Sequence, residues 1–179
     1  EDGGLALLFG LGDGSFEPRQ GALRSFDTAT TYSTGSEPFE VTVADFNNDG
    51  NLDFVTADIT DSGGYIHLGN GDGSFTAGTF LSVAGTPRDV VAGDFNNDGN
   101  QDIAFTHNNT YVFLGNGDGT FKASKVYSTG TNVYEGEAAD FNNDGNLDIV
   151  TIDRTSDYVS IQIGNGDGSF KARWNATIL

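Results

Sequence analysis

The chain repeats one module three times, and this repetition constrains its fold more than any other feature. A nine-residue acidic segment reads DFNNDGNLD at 45–53, DFNNDGNQD at 94–102 and DFNNDGNLD at 140–148, so its first aspartate recurs after 49 and then 46 residues. A glycine-rich segment follows in each copy, GNGDGSF at 69–75, GNGDGTF at 115–121 and GNGDGSF at 164–170, and a variant, GLGDGSF, occupies 10–16. A fixed period of this length indicates a repeat architecture.

The apolar residues within a module follow the two-residue period of half-buried strands. Phe39, Val41 and Val43 alternate before the acidic segment, Phe54 and Val55 follow it, and two more short apolar runs flank the glycine-rich segment. Four strands in about 49 residues is close to the length of a propeller blade repeat. We therefore predict an all-β fold, a β-propeller of four-stranded antiparallel blades, with a half-blade and linker at 1–37 and blades at 38–86, 87–132 and 133–179.

The acidic segments carry the oxygen ligands that calcium prefers. Calcium takes six to eight oxygen ligands, and a loop supplies them by turning alternate side chains inward around a glycine. Positions 1, 3, 5 and 9 carry carboxylates or amides, position 6 is glycine, and position 7 offers its main-chain carbonyl oxygen. The segments resemble the first half of an EF-hand loop, but the glutamate at position 12 is missing. We expect three calcium ions, one each at Asp45, Asn47, Asp49, Asn51 and Asp53, at Asp94, Asn96, Asp98, Asn100 and Asp102, and at Asp140, Asn142, Asp144, Asn146 and Asp148.

The alternative to calcium is an ordinary turn rich in aspartate, asparagine and glycine that binds nothing, because these residues also favour turns. Three carboxylates within nine residues repel one another, however, and a plain turn has no need of all three. Three sites that recur once in each module favour ions that stabilise the blades over a catalytic centre.

These repeated segments resemble the FG-GAP or VCBS repeats of integrin α-subunit heads and of many bacterial extracellular proteins. The resemblance covers nearly the whole chain, from LLFGLGDGSF at 7–16 to FKARWNATIL at 170–179. It implies a β-propeller with calcium bound between the first two strands of a blade. It also implies an extracellular or cell-surface, secreted protein with a role in adhesion.

The composition limits the partners of the chain. With 26 acidic and 8 basic residues the net charge is −18, which repels nucleic acid and attracts cations. The chain contains no cysteine, and no apolar run approaches the roughly 20 residues of a membrane span. Because the chain starts in mid-blade, we expect either a fragment of a longer, roughly seven-bladed protein or a homodimer that covers the open ends.

The glycine-rich segment GNGDGSF is predicted to be a hairpin and not a phosphate-binding loop. It lies between two strands, no helix follows, and an aspartate stands where a phosphate would bind. We expect Asn70-Gly71 and Asp72-Gly73 to adopt positive φ and Phe75 to enter the core.

Recognition is expected on the face opposite the acidic segments, where the second-to-third-strand loops differ: TADITDSGGY, THNNTY and TIDRTSDY. Possible anchors for a ligand are Arg88, Arg154 and Trp174, and the third-strand tyrosines Tyr65, Tyr111 and Tyr158 are expected to pack between blades. The histidines His67 and His107 are expected to have no functional role. Asn108 and Asn175 lie in N-x-[ST] sequons for glycosylation. No Ser/His/Asp arrangement, catalytic metal triad or persuasive carboxylate pair is evident. We therefore expect a module that binds a glycan or protein ligand. The alternative is the propeller, or an accessory domain, of a polysaccharide lyase or hydrolase.

Overall fold

The structure, a computed structural model, describes residues 9–10, 16–17, 30–130, 132–154, 158–172 and 174–177. This part of the chain is built from strands alone, and it contains no helix long and apolar enough to cross a membrane. The strands are β1 Phe9–Gly10, β2 Phe16–Glu17, β3 Pro38–Ala44, β4 Asp53–Asp58, β5 Gly63–His67, β6 Thr79–Ser82, β7 Asp89–Gly93, β8 Asp102–Thr106, β9 Asn109–Phe113, β10 Lys125–Ser128, β11 Val133–Ala139, β12 Asp148–Asp153, β13 Tyr158–Gln162 and β14 Trp174–Thr177.

Three four-stranded antiparallel sheets form the blades of a β-propeller fold. Their strands follow one another in sequence order: β3–β6 in blade 1, β7–β10 in blade 2 and β11–β14 in blade 3, while β1 and β2 pair separately. The first strands of neighbouring blades contact each other, β3 with β7 and β7 with β11. These first strands are therefore the inner strands, and they line a central groove.

Each acidic segment joins the first strand of a blade to the second, and each glycine-rich segment joins the third to the fourth. Because strand direction alternates along each sheet, both connections lie at the same end of the blade. We call 45–53, 94–102 and 140–148 the acidic loops, and the end that carries them the loop face. The second-to-third-strand loops and the links between blades lie at the opposite face.

The hydrophobic core lies between blades. Blades 1 and 2 enclose one cluster, and blades 2 and 3 enclose the other. The first contains Phe46, Val55, Ala57, Ile66, Val83, Val90, Ile103, Phe105, Tyr111 and Phe113, and the second contains Val91, Phe95, Ala104, Val112, Ile149 and Phe170. Each blade is thus stabilised mainly by the next one, as in other repeat proteins.

The structure corrects one expectation about β3. Phe39, Val41 and Val43 alternate as predicted, but they are 43%, 37% and 60% exposed. Val90 of blade 2 occupies the position equivalent to that of Val41 in blade 1, and it is 2% exposed because it packs against blade 1. The alternation predicts the strand correctly, whereas burial comes from a neighbouring blade. Among the described residues, no four-stranded sheet precedes blade 1 to cover Val43.

Further from the central groove, the same side of blade 1 is covered by the residues that precede β3. The Tyr32 ring lies 5.5 Å from Phe75, and the Phe75 N–H donates to Tyr32 Oη at 3.0 Å. Tyr127 of blade 2 packs on Phe170 of blade 3 in the same way, at 5.4 Å. Tyr32 therefore takes the place that a fourth-strand tyrosine of a preceding blade would have.

Candidate functional site

The first aspartate of each acidic loop folds the loop around its own carboxylate. In loop 1 the Asp49 N–H donates to Asp45 Oδ1 at 3.2 Å and the Gly50 N–H donates to Asp45 Oδ2 at 2.8 Å. Asp94 and Asp140 accept the same two hydrogen bonds in loops 2 and 3. Gly50, whose φ is +85°, supplies the left-handed bend that the loop needs at position 6.

Positions 3 and 5 add further oxygens to the same short loop. Asn47 Oδ1 accepts the Asp49 N–H at 3.1 Å, and Asp49 Oδ1 accepts the Asn51 N–H at 2.8 Å. The hydrogen bond from the Asn51 N–H, followed by one that Asn47 Nδ2 donates to Asp49 Oδ2 at 2.9 Å, lowers the pKa of the Asp49 carboxyl below its usual value. The pKa values of Asp98 and Asp144 are lowered in the same way, mainly by the N–H groups of Asn100 and Asn146. The position 5 carboxylates are therefore ionised and exposed.

The ninth aspartate of each loop has a different environment from the others. Asp53 is fully buried; its Oδ2 accepts the Phe46 N–H at 2.8 Å and its Oδ1 accepts the Gly69 N–H at 2.7 Å. Asp102 and Asp148 make the same pair of contacts, to Phe95 and Gly115 and to Phe141 and Gly164. Burial raises the pKa of Asp102 to about 6. These carboxylates fasten the acidic loop to the hairpin of their own blade, a role that the sequence reading did not assign.

The seventh position joins neighbouring blades through its side chain. Asn48, at position 4 of loop 1, has a φ of +56° and donates from Nδ2 to Oδ1 of Asn100 in loop 2 at 2.8 Å. Asn97 makes the same contact to Asn146 in loop 3, also at 2.8 Å. The main-chain carbonyl of position 7, the predicted calcium ligand, is not used by this contact.

The hairpin of each blade packs on the acidic loop of the blade before it. The Gly119 N–H donates to the Phe46 carbonyl at 3.1 Å, and the rings of Phe46 and Phe121 are 5.9 Å apart. Blades 2 and 3 repeat this joint, with Phe95 in the place of Phe46. Phe46 and Phe95 are 0% and 1% exposed, but Phe141 in loop 3 is 48% exposed, because no described hairpin covers it.

The hairpins form turns as predicted, but two residues differ from the prediction in their φ angles. Gly71 and Gly73 have φ values of +73° and +85°, whereas Asn70 and Asp72 do not adopt positive φ. Asp72 instead accepts the Ser74 N–H at 2.9 Å. A Cβ on Gly71 would lie 2.3 Å from Asn51 Oδ1, so glycine is required here by contact as well as by φ.

The loop oxygens fit a calcium ion by their chemistry. Positions 1 and 5 bring two carboxylates to an exposed loop, position 3 adds an amide oxygen, and position 7 adds a main-chain oxygen. Among the described residues, no three Asp, Glu, His or Cys side chains converge in a metal-holding geometry. A cation here would therefore depend on the amide and main-chain oxygens as well as on the carboxylates.

A cluster of aromatic and basic side chains lies on the opposite face. Phe39, Arg88 and Tyr134 stand six residues before the first aspartate of their modules, near the start of the inner strands. The rings of Phe39 and Tyr134 are 5.7 Å apart, and the guanidinium carbon of Arg88 lies 4.8 Å from the Tyr134 ring centroid. Arg154, directly after β12, lies 4.9 Å from the same centroid. The two arginines were predicted from the sequence as possible anchors, whereas Phe39 and Tyr134 were not. Alignment of the modules places Phe39 and Tyr134 at the position of Arg88.

The candidate histidines have different surroundings. His67 is 1% exposed, is stacked on Phe54 at 4.6 Å, and its ring nitrogens lie 2.9 and 3.0 Å from the carbonyl oxygens of Thr76 and Ser33, so it is structural. His107 is half-buried on the opposite face, and burial together with the charge of Arg88 lowers its pKa.

The two third-strand tyrosines whose side chains are described do not share one role. Tyr111 is buried between blades 1 and 2, and its hydroxyl donates to the carbonyl of Ala84 in the link between them. Tyr65 packs on Phe80 within its own blade. In blade 3 the position equivalent to Tyr65 is held by Ser160, which pairs with Thr151 as Tyr65 pairs with Thr56, while Tyr158 begins β13.

The remaining candidates add little to the site. The side chains of Tyr158 and Trp174 lie outside the described part of the chain. Asn108 and Asn175 are exposed, and Asn175 Oδ1 accepts a hydrogen bond from Ser160 at 3.0 Å.

A comparison with protein-family models identifies the repeat. The model of the FG-GAP-like repeat matches residues 1–56, 45–105 and 103–151. The chain belongs to the FG-GAP-like repeat family. The second match runs from acidic loop 1 into β8 of blade 2, so this FG-GAP-like unit spans a joint between blades. A comparison with curated proteins gives no significant match.

A solved lectin structure supports the fold of this FG-GAP-like chain. An Agrocybe aegerita lectin, described as recognising non-reducing terminal N-acetylglucosamine, is similar with a TM-score of 0.63 and 23% identity. The match covers 95% of this chain and 45% of the lectin chain. The Photorhabdus luminescens Tc holotoxin pore matches with a TM-score of 0.45 and 16% identity, over 78% of this chain and 7% of that one. The chain thus spans less than half the length of either protein.

Proposed function

We propose that this FG-GAP-like chain is a calcium-stabilised, extracellular binding module of the adhesion type. It recognises a glycan or a protein through the face opposite the acidic loops. The observation that carries this proposal is the difference between the two faces. At the loop face, the three modules repeat the same fastening residues and the same hydrogen bonds.

The opposite face differs from module to module. Equivalent positions hold Phe39, Arg88 and Tyr134, and the neighbouring loops have different lengths and sequences. A repeated scaffold that carries variable loops is a common arrangement in binding proteins. The lectin that resembles this chain binds a sugar, and a glycan ligand would extend that property to this protein.

Assays of binding and assays of turnover distinguish a binding module from an enzyme. A glycan array and a panel of immobilised extracellular proteins test for binding, and a panel of polysaccharide hydrolase and lyase substrates tests for turnover. We expect saturable binding without turnover, and this binding should weaken on substitution of Arg154 and not of the hairpin residue Ser74. Turnover that depends on opposite-face residues would instead identify an enzyme.

Calcium is proposed to bind at all three acidic loops. The residues that would hold it are those at positions 1, 3, 5, 7 and 9, named above for each loop. The ion would supply a positive charge to which several loop oxygens bind at once, and so oppose their mutual repulsion. The hydrogen bond that each ninth aspartate accepts from the hairpin would transmit this order to the blade. Sites of this extracellular kind have dissociation constants on the order of 10⁻⁴ to 10⁻³ M.

Titration calorimetry with calcium tests this proposal directly. We expect three ions per chain in the wild type and two in Asp98→Ala. The matched control is Asp118→Ala, because both carboxylates are exposed and both accept one main-chain N–H, from Asn100 at 2.9 Å and from Thr120 at 3.0 Å, respectively. Binding should also raise the melting temperature relative to a chelator. Absence of heat and identical melting curves would refute calcium binding.

The exposed sides of blades 1 and 3 are proposed to be covered in the functional protein. Val43 and Phe141, 60% and 48% exposed, lie on these two sides. Further blades of a longer chain or a second copy of this chain would cover both.

A further inference from the structure

The three inner strands bring one residue each to a single point on the opposite face. Phe39, Arg88 and Tyr134 occupy the same position in successive modules, yet they are chemically different. Tyr134 contacts both of the others, at 5.7 Å to the Phe39 ring and at 4.8 Å to the Arg88 guanidinium carbon. Residues at equivalent positions around a propeller axis meet at the end of the central groove, so this cluster forms its mouth.

The cluster concentrates positive charge in a strongly acidic chain. Two of the eight basic residues, Arg88 and Arg154, lie within 5 Å of one tyrosine ring. No ion pair to either guanidinium is found within the described ranges. Arg88 is held in place, since its Nη1 donates to Asn132 Oδ1 at 3.2 Å and its Nε is buried without an acceptor. Arg154 is exposed. Hydrogen-bond donors are thus positioned at the mouth without carboxylate partners.

Hydrogen-bond acceptors stand next to these donors. Glu40 and Glu135 directly follow Phe39 and Tyr134 in sequence, are exposed, and line the central groove. The groove has a volume of about 210 Å³. Pockets for drug-sized ligands measure roughly 300–1,000 Å³, so this one suits a single small ring. Phe39, 43% exposed, presents an aromatic surface beside it.

The combination of aromatic surface, donors and acceptors matches an uncharged sugar ring. A pyranose has an apolar C–H face, which packs on the electron-rich face of an aromatic ring. Its hydroxyl groups both accept hydrogen bonds, here from arginine, and donate them, here to glutamate. An anionic ligand would be repelled by the exposed glutamates that line the groove and by the net charge of −18.

We propose that the Phe39–Arg88–Tyr134–Arg154 cluster, with Glu40 and Glu135, binds one neutral pyranose unit at the mouth of the central groove. This site rests on the proposed glycan-binding function and specifies its location and the class of its ligand. It is separate from the acidic loops and does not require calcium as a ligand to the sugar.

The test is an NMR titration of the ¹⁵N-labelled chain in calcium-containing buffer. The probes are the methyl glycosides of glucose, galactose, mannose and N-acetylglucosamine, with glucuronic acid as the charged comparison. At least one neutral glycoside should cause saturable shifts in the main-chain amides of residues 39–40, 88–89 and 134–135. Glucuronic acid should bind more weakly than the best neutral glycoside.

Variants check that the shifts report this cluster. Phe39→Ser and Arg154→Ala each change an exposed side chain, and each should raise the dissociation constant about tenfold or more. The control Lys122→Ala removes an exposed cation near the hairpin of blade 2 and should change it by less than about twofold. Unchanged melting temperatures show that the variants are folded, and the wild-type shift map stands even where a variant fails to fold.

The outcomes separate this site from the wider function. If a glycan binds but the shifts lie elsewhere, or if both variants bind as the wild type does, the site is refuted and the proposed function stands. Stronger binding of glucuronic acid would refute the neutral ligand class. If no glycoside binds and the array and the protein panel are also negative, the proposed function fails together with the site.

Discussion

Replacing Asp89 by asparagine should increase the stability of the protein relative to the wild type as the pH rises from acidic to neutral. Asp89 is 5% exposed at the start of inner strand β7, and it accepts a hydrogen bond from Thr106 Oγ1 at 3.1 Å. Burial, with a smaller contribution from the charge of Glu40, raises the pKa of its carboxyl from 3.8 to about 6. The folded protein therefore holds this proton more tightly than the unfolded chain does.

The sign and size of the effect follow from this pKa. Because the folded pKa is the higher one, the contribution to stability is fully present below pH 3.8 and is lost as the pH rises to about 6. A shift of about two units corresponds to about 3 kcal/mol in full, of which about 2 kcal/mol falls between pH 4.5 and pH 7. Asparagine has no proton to lose, so the free energy of unfolding of Asp89→Asn minus that of the wild type should rise by about 2 kcal/mol over this interval.

Urea unfolding followed by circular dichroism, at fixed calcium and salt, measures this difference. The amide also alters the hydrogen bond with Thr106, but that effect is the same at every pH and cancels in the pH dependence. Glu137→Gln is the matched control, because Glu137 lines the same groove and is exposed. A difference for Asp89→Asn that stays flat, or that falls as the pH rises, would show that the buried carboxylate does not control this dependence.

Two substitutions, each with a matched control, test the joints between blades, and a third tests the exposed edge of blade 3. Asn97→Gly removes an inter-blade hydrogen bond without backbone strain and should lower the free energy of unfolding by about 1 kcal/mol. The control Asn143→Gly, at the same loop position and φ, should change it little. Equal losses would contradict a stabilising role of this hydrogen bond. Gly117→Ala should destabilise by more than about 2 kcal/mol in thermal unfolding, since its Cβ would meet an amide oxygen at 2.3 Å, and Gly99→Ala, with open space around it, should be clearly milder. Light scattering of the wild type should give a mass above 18.8 kDa, and Phe141→Asp should reduce it; a wild-type monomer would refute association through this edge.

The sequence predicts the local parts of this fold well because their determinants are close together. Asp45 and Gly50 contact each other within one loop, so the spacing of aspartate and glycine is enough to predict the turn. The two-residue alternation likewise predicts β3. Calcium at these loops stays a prediction.

Features that depend on contacts between modules could not be read from one module. The Asn48–Asn100 hydrogen bond joins residues 52 positions apart, and nothing in loop 1 alone distinguishes its asparagine from any other turn residue. The exposure of Val43 depends on a neighbouring blade and not on its own strand. The fastening role of Asp53 was missed because both a calcium ligand and a buried acceptor of main-chain N–H groups call for a carboxylate.

The asparagine joint has a direction, and this bears on how such a chain can change in evolution. Each joint uses position 4 of one loop as donor and position 7 of the next as acceptor, as in Asn48 with Asn100 and Asn97 with Asn146. A duplicated module inserted between two blades would carry both halves of this joint and would fit its neighbours on either side. A partial module would break one joint and leave a phenylalanine such as Phe95 uncovered. The number of blades can therefore grow or shrink in whole units by gene duplication or deletion, without new interface residues having to arise.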